Sequence, residues 1–171
     1  METDLNTLTI LAEVTTAFVA FAAIVASLRV TLGKELSPFQ RLLVHFFTEA
    51  GMLNVSFTLL PLVLAGFWQD ELIIARFTSV YVIAGSGTYL VFYIRRRLSI
   101  KAPTPLLSLV VMIGYGIWLP LLAITVTGIY WQPSLEIIAA YCFWSLFTSV
   151  VIFASFLASF VQSEERNMGT Q

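Results

Sequence analysis

The chain has 171 residues, of which 58% are hydrophobic and 11% are charged. Soluble domains carry roughly a quarter charged residues, so this composition excludes an ordinary soluble fold. Nine Lys and Arg against ten Asp and Glu leave a formal net charge of -1 at pH 7. Because the chain lacks the net positive charge that neutralises a phosphate backbone, we predict no binding to nucleic acid.

Five apolar segments follow one another along the chain. A hydrocarbon core about 30 Å thick requires about 20 mostly apolar residues in one helix. The sequence therefore predicts an all-α membrane protein, a five-span transmembrane helix bundle that forms a single domain over residues 1–171. We place the spans at residues 8–28, 42–68, 72–94, 106–129 and 137–161, followed by a short flexible cytoplasmic tail at 163–171.

The basic residues predict the orientation of these spans. The first connector, the third connector and the tail carry Arg29, Lys34, Arg41, Arg95, Arg96, Arg97, Lys101 and Arg166. The connectors on the opposite side carry acidic residues and no basic ones, so the positive-inside rule predicts an outside N-terminus and a cytoplasmic C-terminus. The short connectors favour a bacterial inner (plasma) membrane. We interpret Arg95, Arg96, Arg97 and Lys101 as topology determinants, with binding to anionic lipid headgroups as the alternative.

Four ionisable side chains fall within the predicted spans, where an unpaired charge costs several kcal/mol. With Asn54 they form the set of buried polar candidates: Glu13, His45, Glu49, Asn54 and Arg76. At about 1.5 Å per residue, Glu13 lies roughly 8 Å and Arg76 roughly 6 Å below the same membrane surface. We therefore predict an ion pair between them that fixes the first helix against the third. A pair that opens during transport and side chains that snorkel to the interface are the alternatives.

His45 and Glu49 lie one helical turn apart, with Arg41 on the same line. A histidine and a carboxylate at this spacing could relay a proton or supply two metal ligands. The second span is long enough for its first turns to protrude, so a solvated polar face at the cytoplasmic interface is the simpler interpretation. We predict no metal and no other cofactor.

Glu13 also shares a helical face with small side chains. Steps of three and four place it in line with Thr16, Ala17, Ala20, Ala23 and Ser27. Small residues at such spacing let helix backbones approach closely in lipid, so we predict that this face packs inside the bundle. We predict that the opposite face, with Val14, Phe18, Phe21, Val25 and Leu28, contacts lipid.

Small residues also mark the later spans. The pairs Gly85/Gly87 and Gly114/Gly116 favour close helix crossings over interrupted helices. Cys142 is the only cysteine and lies in an apolar run, so we expect a small core residue rather than a disulfide or metal ligand.

No catalytic constellation is present: the chain has one histidine, and both lysines lie in connectors. No phosphate-binding or dinucleotide-binding motif occurs, so we predict no enzymatic activity. The favoured hypothesis is a non-catalytic subunit, scaffold or assembly module that acts through helix packing in the lipid bilayer, in a homo-oligomer or with another membrane protein. The alternative is an oligomeric transporter or channel for protons, ions or a small solute that uses the five polar candidates.

Overall fold

The computed structural model describes residues 2–31, 38–99 and 106–168, with side chains for 2–28, 31, 40–99 and 109–158. The regular structure in these ranges consists of five helices: α1 (Glu2–Thr31), α2 (Pro38–Ala65), α3 (Glu71–Ser99), α4 (Leu106–Thr127) and α5 (Leu135–Met168). Each is long and apolar enough to cross a membrane. The predicted all-α fold with five membrane-length helices is therefore confirmed.

The helix bounds differ from the predicted spans at both ends of the bundle. α1 begins six residues earlier, and α3 continues through the arginine cluster to Ser99. Conversely, α2 ends at Ala65, so that Trp68 lies in the following turn, and α4 ends at Thr127. Hydropathy locates the apolar part of a helix, whereas backbone hydrogen bonding continues into polar flanks that remain good helix formers.

The predicted tail, residues 163–171, is helical as far as Met168. Residues 169–171 and Lys101 lie outside the described part of the chain.

Side-chain caps and one glycine set the turns at the end of the bundle where α3 begins. The Oδ1 atom of Asp70 accepts hydrogen bonds from the backbone amides of Leu72 (2.9 Å) and Ile73 (3.3 Å), which caps the N-terminus of α3. Gly128 follows α4 with φ of 68°, the left-handed conformation that commonly ends a helix and that glycine adopts without strain.

Helix α5 lies at the centre of the bundle. Of its apolar segment 50% is buried, compared with 22% for α1 and for α4. It packs against all four other helices, whereas within the described residues α1 packs only on α2 and α5, and α2 does not pack on α4. Around α5 the order is therefore α1, α2, α3, α4, with an open side between α4 and α1.

Consecutive helices run in opposite directions, so charged residues gather by sign at the two ends of the bundle. Contacts of Phe46 with Tyr93 (5.0 Å between ring centroids) and of Phe57 with Tyr81 (5.6 Å) show this for α2 and α3. We call one end the acidic end, with Glu2, Asp4, Asp70, Glu71 and Glu136, and the other the basic end, with Arg41, Arg95, Arg96 and Arg97.

Aromatic side chains pack α1 and α2 against α5 toward the basic end. Phe153 of α5 contacts Phe18 of α1 (5.6 Å between ring centroids) and Phe47 of α2 (5.2 Å) in edge-to-face geometry. Such ring pairs contribute about 0.5–1.5 kcal/mol each beyond their contact area. The contact with Phe153 holds the Phe18 side of α1 against the bundle.

Candidate functional site on the outward face of the first helix

The five polar candidates do not converge on one site. Asn54 is 1% exposed, Glu49 is half-buried, and Glu13, His45 and Arg76 are exposed on the flanks of the bundle. They lie on α1, α2 and α3. On α2, Glu49 contacts Arg96 of α3, whereas Asn54 contacts α1 and α5. Each therefore has its own surroundings.

The predicted ion pair between Glu13 and Arg76 is wrong. In the described part of the chain α1 and α3 do not pack against each other, because α2 and α5 lie between them. The depths do not match either. Thr15 lies level with Asn54, and Leu53, the neighbour of Asn54, packs beside Gly85. Measured from this level toward the acidic end, Glu13 lies two residues away on α1 and Arg76 lies nine residues away on α3. The difference of seven residues corresponds to about 10 Å along the helix axis.

Arg76 lies beside the end of α4 instead. Its Nη2 atom is 3.7 Å from the position that a Cβ on Gly128 would occupy. The last carbonyl groups of a helix carry partial negative charge and attract a cation. Arg76 is therefore placed at the acidic end of the bundle, where a long side chain can reach polar surroundings.

His45 and Glu49 lie on one face of α2, as their spacing predicts, and a third residue joins them. His45 Nδ1 is 3.6 Å from Glu49 Oε1, and Nη1 of Arg96 donates to both Glu49 carboxylate oxygens at 2.8 Å. The His45 side chain is 65% exposed and that of Arg96 50%. The group is therefore an accessible ion pair near the basic end, with histidine at its edge.

Asn54 connects three helices. Its Nδ2 donates to Thr15 Oγ1 of α1 (3.3 Å) and to the Cys142 carbonyl of α5 (3.1 Å). Cys142 itself is fully buried, as predicted for a core residue. Hydrogen bonds between helices help to hold membrane bundles together.

Sequence reasoning missed a cluster of hydroxyl groups in the interior. A cavity of about 20 Å³, enough for about one water molecule, lies between α2, α3, α4 and α5. At its wall Ser86 bonds to Tyr141, and Tyr115 Oη lies 3.1 Å from Ser145 Oγ. None of the five polar candidates lines this cavity. Tyr141 and Ser145 are one turn apart on α5, and this spacing is the sequence pattern that could have placed their hydroxyl groups on one helix face.

The open side of the bundle forms a second, apolar concavity. It measures about 670 Å³ and is lined by Thr7 and Leu11 of α1, Trp118 of α4, and Phe143 and Phe147 among the residues of α5. Its lining is almost entirely apolar.

The small-residue face of α1 points outward, contrary to the prediction. Inside the bundle α1 buries Leu8, Ala12, Thr15, Ala22 and Ala26. We call the exposed side that carries Glu13 the α1 outward face; it includes the exposed residues Glu13, Thr16, Ala17, Ala20 and Ser27, with Ala23 half-buried, and the exposed side chains of Ile10 and Ile24 lie beside them. Both sides of α1 carry small residues, so spacing alone could not decide which side packs.

The face expected to contact lipid is divided. Val14, Phe21 and Leu28 are exposed, whereas Phe18 and Val25 are half-buried against the core. The packed side of α1 is thus rotated away from the predicted one, and Phe18 lies against the ring of Phe153.

Within the described residues Glu13 has neither an ion-pair partner nor a hydrogen-bond partner for its side chain. Moving a charged carboxylate to the centre of a membrane helix costs about 3 kcal/mol on insertion scales. The adjacent Thr16 hydroxyl donates to the Ala12 carbonyl at 2.7 Å. In the described part of the chain the α1 outward face therefore combines an exposed carboxylate, a hydroxyl oxygen and the small side chains of Ala17 and Ala20.

Comparison with protein-family models, with curated proteins and with solved structures finds no match to this chain.

Proposed function

We propose that this chain is a single-domain integral membrane protein of a bacterial plasma membrane, with its N-terminus outside and its C-terminus in the cytoplasm. It acts as a non-catalytic subunit, scaffold or assembly module and binds another membrane polypeptide through the α1 outward face. In this role the protein contributes helix packing rather than chemistry.

The exposed carboxylate of Glu13 is the observation that carries the proposal. It lies two residues from the level of the Asn54 contacts, well inside the helical bundle along its axis. A charged group in hydrocarbon is costly unless another group pairs with it, and the described residues of this chain offer no such group. A second polypeptide that covers this face would supply one.

Large apolar side chains are exposed on α1 as on the other helices, among them Ile24 (58% exposed) on α1, Phe92 (52%) on α3, Ile117 (63%) on α4 and Phe143 (61%) on α5. Such side chains are suited to contact with lipid chains. On α1 they flank a patch of small residues around the Glu13 carboxylate. Ala17 and Ala20 on α1 would instead allow a neighbouring backbone to approach closely, which is how helices associate in lipid.

The test is native mass spectrometry of the protein extracted in its own lipids, with the associated chains identified. We expect a stoichiometric complex that Ala17→Leu and Ala20→Leu disrupt. Ala84→Leu on α3 and Ala123→Leu on α4 are matched controls, since both alanines are exposed outside α1. A wild-type protein that runs as a lone monomer, or equal disruption by the control variants, would contradict the proposal.

The transport hypothesis stays a prediction with its own test. Proteoliposomes of the wild type and of the Glu13→Gln and Glu49→Gln variants should differ in proton or ion flux if these carboxylates line a path. Unchanged flux in both variants would remove that hypothesis.

A further inference from the structure

We propose that the α1 outward face binds a transmembrane helix of a different polypeptide, and that this helix carries a lysine or arginine at the level of Glu13. The inference rests on the proposed function and adds the chemistry of the partner.

No cationic group of the described chain lies at the level of Glu13. Arg41, Arg95, Arg96 and Arg97 belong to the basic end, and Arg76 is about 10 Å away along the helix axis on the acidic side. In two copies placed side by side with the same orientation, Arg76 of one copy would therefore miss Glu13 of the other. The basic side chains that the structure describes therefore do not complement the Glu13 carboxylate.

A symmetric contact between two copies is also unfavourable. If two α1 outward faces met across a twofold axis parallel to the helices, both Glu13 carboxylates would lie at the same depth. Two like charges in a medium of low dielectric constant repel strongly. A different polypeptide with a positive charge at this level avoids the repulsion.

At the level of Glu13 the polar side-chain atoms on the face accept hydrogen bonds rather than donate them. An ionised carboxylate is an acceptor only, and Thr16 already donates its hydroxyl proton to the Ala12 carbonyl at 2.7 Å. A lysine ammonium has three donors and an arginine guanidinium five, and neither has an acceptor. The donor set of a cation thus matches the acceptor set of Glu13 and Thr16.

The small neighbours allow the required approach. Ala17 lies one turn beyond Glu13 and Ala20 one turn beyond Thr16, so a partner helix can cross close to the backbone here. Close approach also excludes lipid and water from the ion pair, which strengthens the attraction. Charge and shape therefore select the same site on α1.

The experiment measures energy transfer between the full-length protein and synthetic helices in phosphatidylcholine vesicles. The protein carries a donor dye on Thr3→Cys, because Thr3 is exposed and Cys142 is fully buried. Three acceptor-labelled transmembrane peptides share a leucine host with alanines on one face and differ only at the central position, which is Lys, Leu or Glu. The protein is used as wild type and as the Glu13→Gln, Glu13→Lys and Ala20→Leu variants.

We expect the wild type to bind the Lys peptide about tenfold more tightly than the Leu peptide, in line with polar contacts between membrane helices. Glu13→Gln should remove most of this preference, and Glu13→Lys should transfer it to the Glu peptide. Ala20→Leu should weaken binding of the Lys peptide. A reversal of preference by charge exchange cannot result from misfolding.

Two results would overturn the inference while leaving the proposed function intact. In the first, the Lys and Leu peptides bind equally well and Ala20→Leu weakens the binding of both to the same extent. The face would then bind helices without discriminating by charge. The other is self-association of the protein that competes with the Lys peptide and depends on Glu13, since a second copy would then be the partner. If no peptide binds and Ala20→Leu also leaves the native complex intact in mass spectrometry, the proposed function fails together with the inference.

Discussion

Asn54 shows how a single polar residue organises this bundle at the residue scale. Its amide donates to α1 and to α5 from α2, and the backbone carbonyl of Cys142 can only accept, which determines the orientation of the amide. The Oδ1 atom has no hydrogen-bond partner within the described residues. Asn54 therefore stabilises the junction of three helices although half of its hydrogen-bonding capacity is unused.

The first prediction concerns this junction. Asn54→Ala should lower the free energy of unfolding by about 2 kcal/mol, because it removes two hydrogen bonds and leaves a cavity. Thr15→Val keeps the shape and removes one acceptor, so its cost should be near 0.5 kcal/mol. Steric trapping in bicelles measures both values. An alanine variant no less stable than the valine variant would show that the amide contributes little.

A second prediction concerns the hydroxyl pair of Ser86 and Tyr141, which links α3 to α5 beside the interior cavity. Ser86→Ala and Tyr141→Phe should each destabilise the fold, and the double variant should cost less than their sum by about 0.5–1 kcal/mol. Tyr130→Phe is the control, because Tyr130 is 80% exposed. Strictly additive effects in the same unfolding assay would mean that the two hydroxyls are not coupled.

At the scale of elements, α4 approaches α5 at one glycine. A methyl group on Gly114 would overlap the indole of Trp144, whereas the described residues place no atom of another helix within 4 Å of such a methyl group on Gly116. α4 continues through both glycines and through Pro120 without interruption. The glycine pair thus has two different roles, and only Gly114 permits a close contact.

The third prediction follows from this difference. Gly114→Ala should destabilise the bundle by about 1–3 kcal/mol, because the indole must move in a packed interface. Gly116→Ala should be neutral or stabilise by up to about 1 kcal/mol through helix propensity. Trp144→Phe should partly rescue Gly114→Ala by making room. Equal effects of the two alanine substitutions on unfolding would refute the assigned contact.

At the scale of the whole molecule, charge separates along the bundle axis. The acidic end and the basic end are set by the alternation of helix direction, and α5 at the centre keeps the four other helices in chain order around it. The Arg96–Glu49 ion pair lies toward the basic end, and Arg76 lies at the acidic end beside α4. The excess of arginine at one end is the physical basis for the proposed orientation.

The fourth prediction tests that orientation. In intact spheroplasts a membrane-impermeant maleimide should label Thr3→Cys, at the acidic end, without permeabilisation. Ser99→Cys, at the end of α3, should react only after the membrane is opened; both native residues are exposed and Cys142 is fully buried. The reverse labelling pattern would place the N-terminus in the cytoplasm, and labelling of both sites in intact cells would argue against a spanning bundle.

The sequence by itself determined the features that belong to single helices. Five apolar segments predicted five helices, the turn spacing placed His45 beside Glu49, and the apolar context of Cys142 predicted its burial. Hydropathy and periodicity report on one helix at a time, so these predictions needed no knowledge of neighbours.

Only the tertiary structure decided which faces meet. It separated Glu13 from Arg76, turned the small residues around Glu13 outward, and brought Ser86 to Tyr141. In a soluble protein the apolar side of a helix identifies the packed side, but in lipid apolar and packed are different properties, because hydrocarbon chains can cover apolar side chains as well as another helix can. The choice between two small-residue sides of α1 then depends on contacts such as Phe18 with Phe153, which involve residues more than a hundred positions apart.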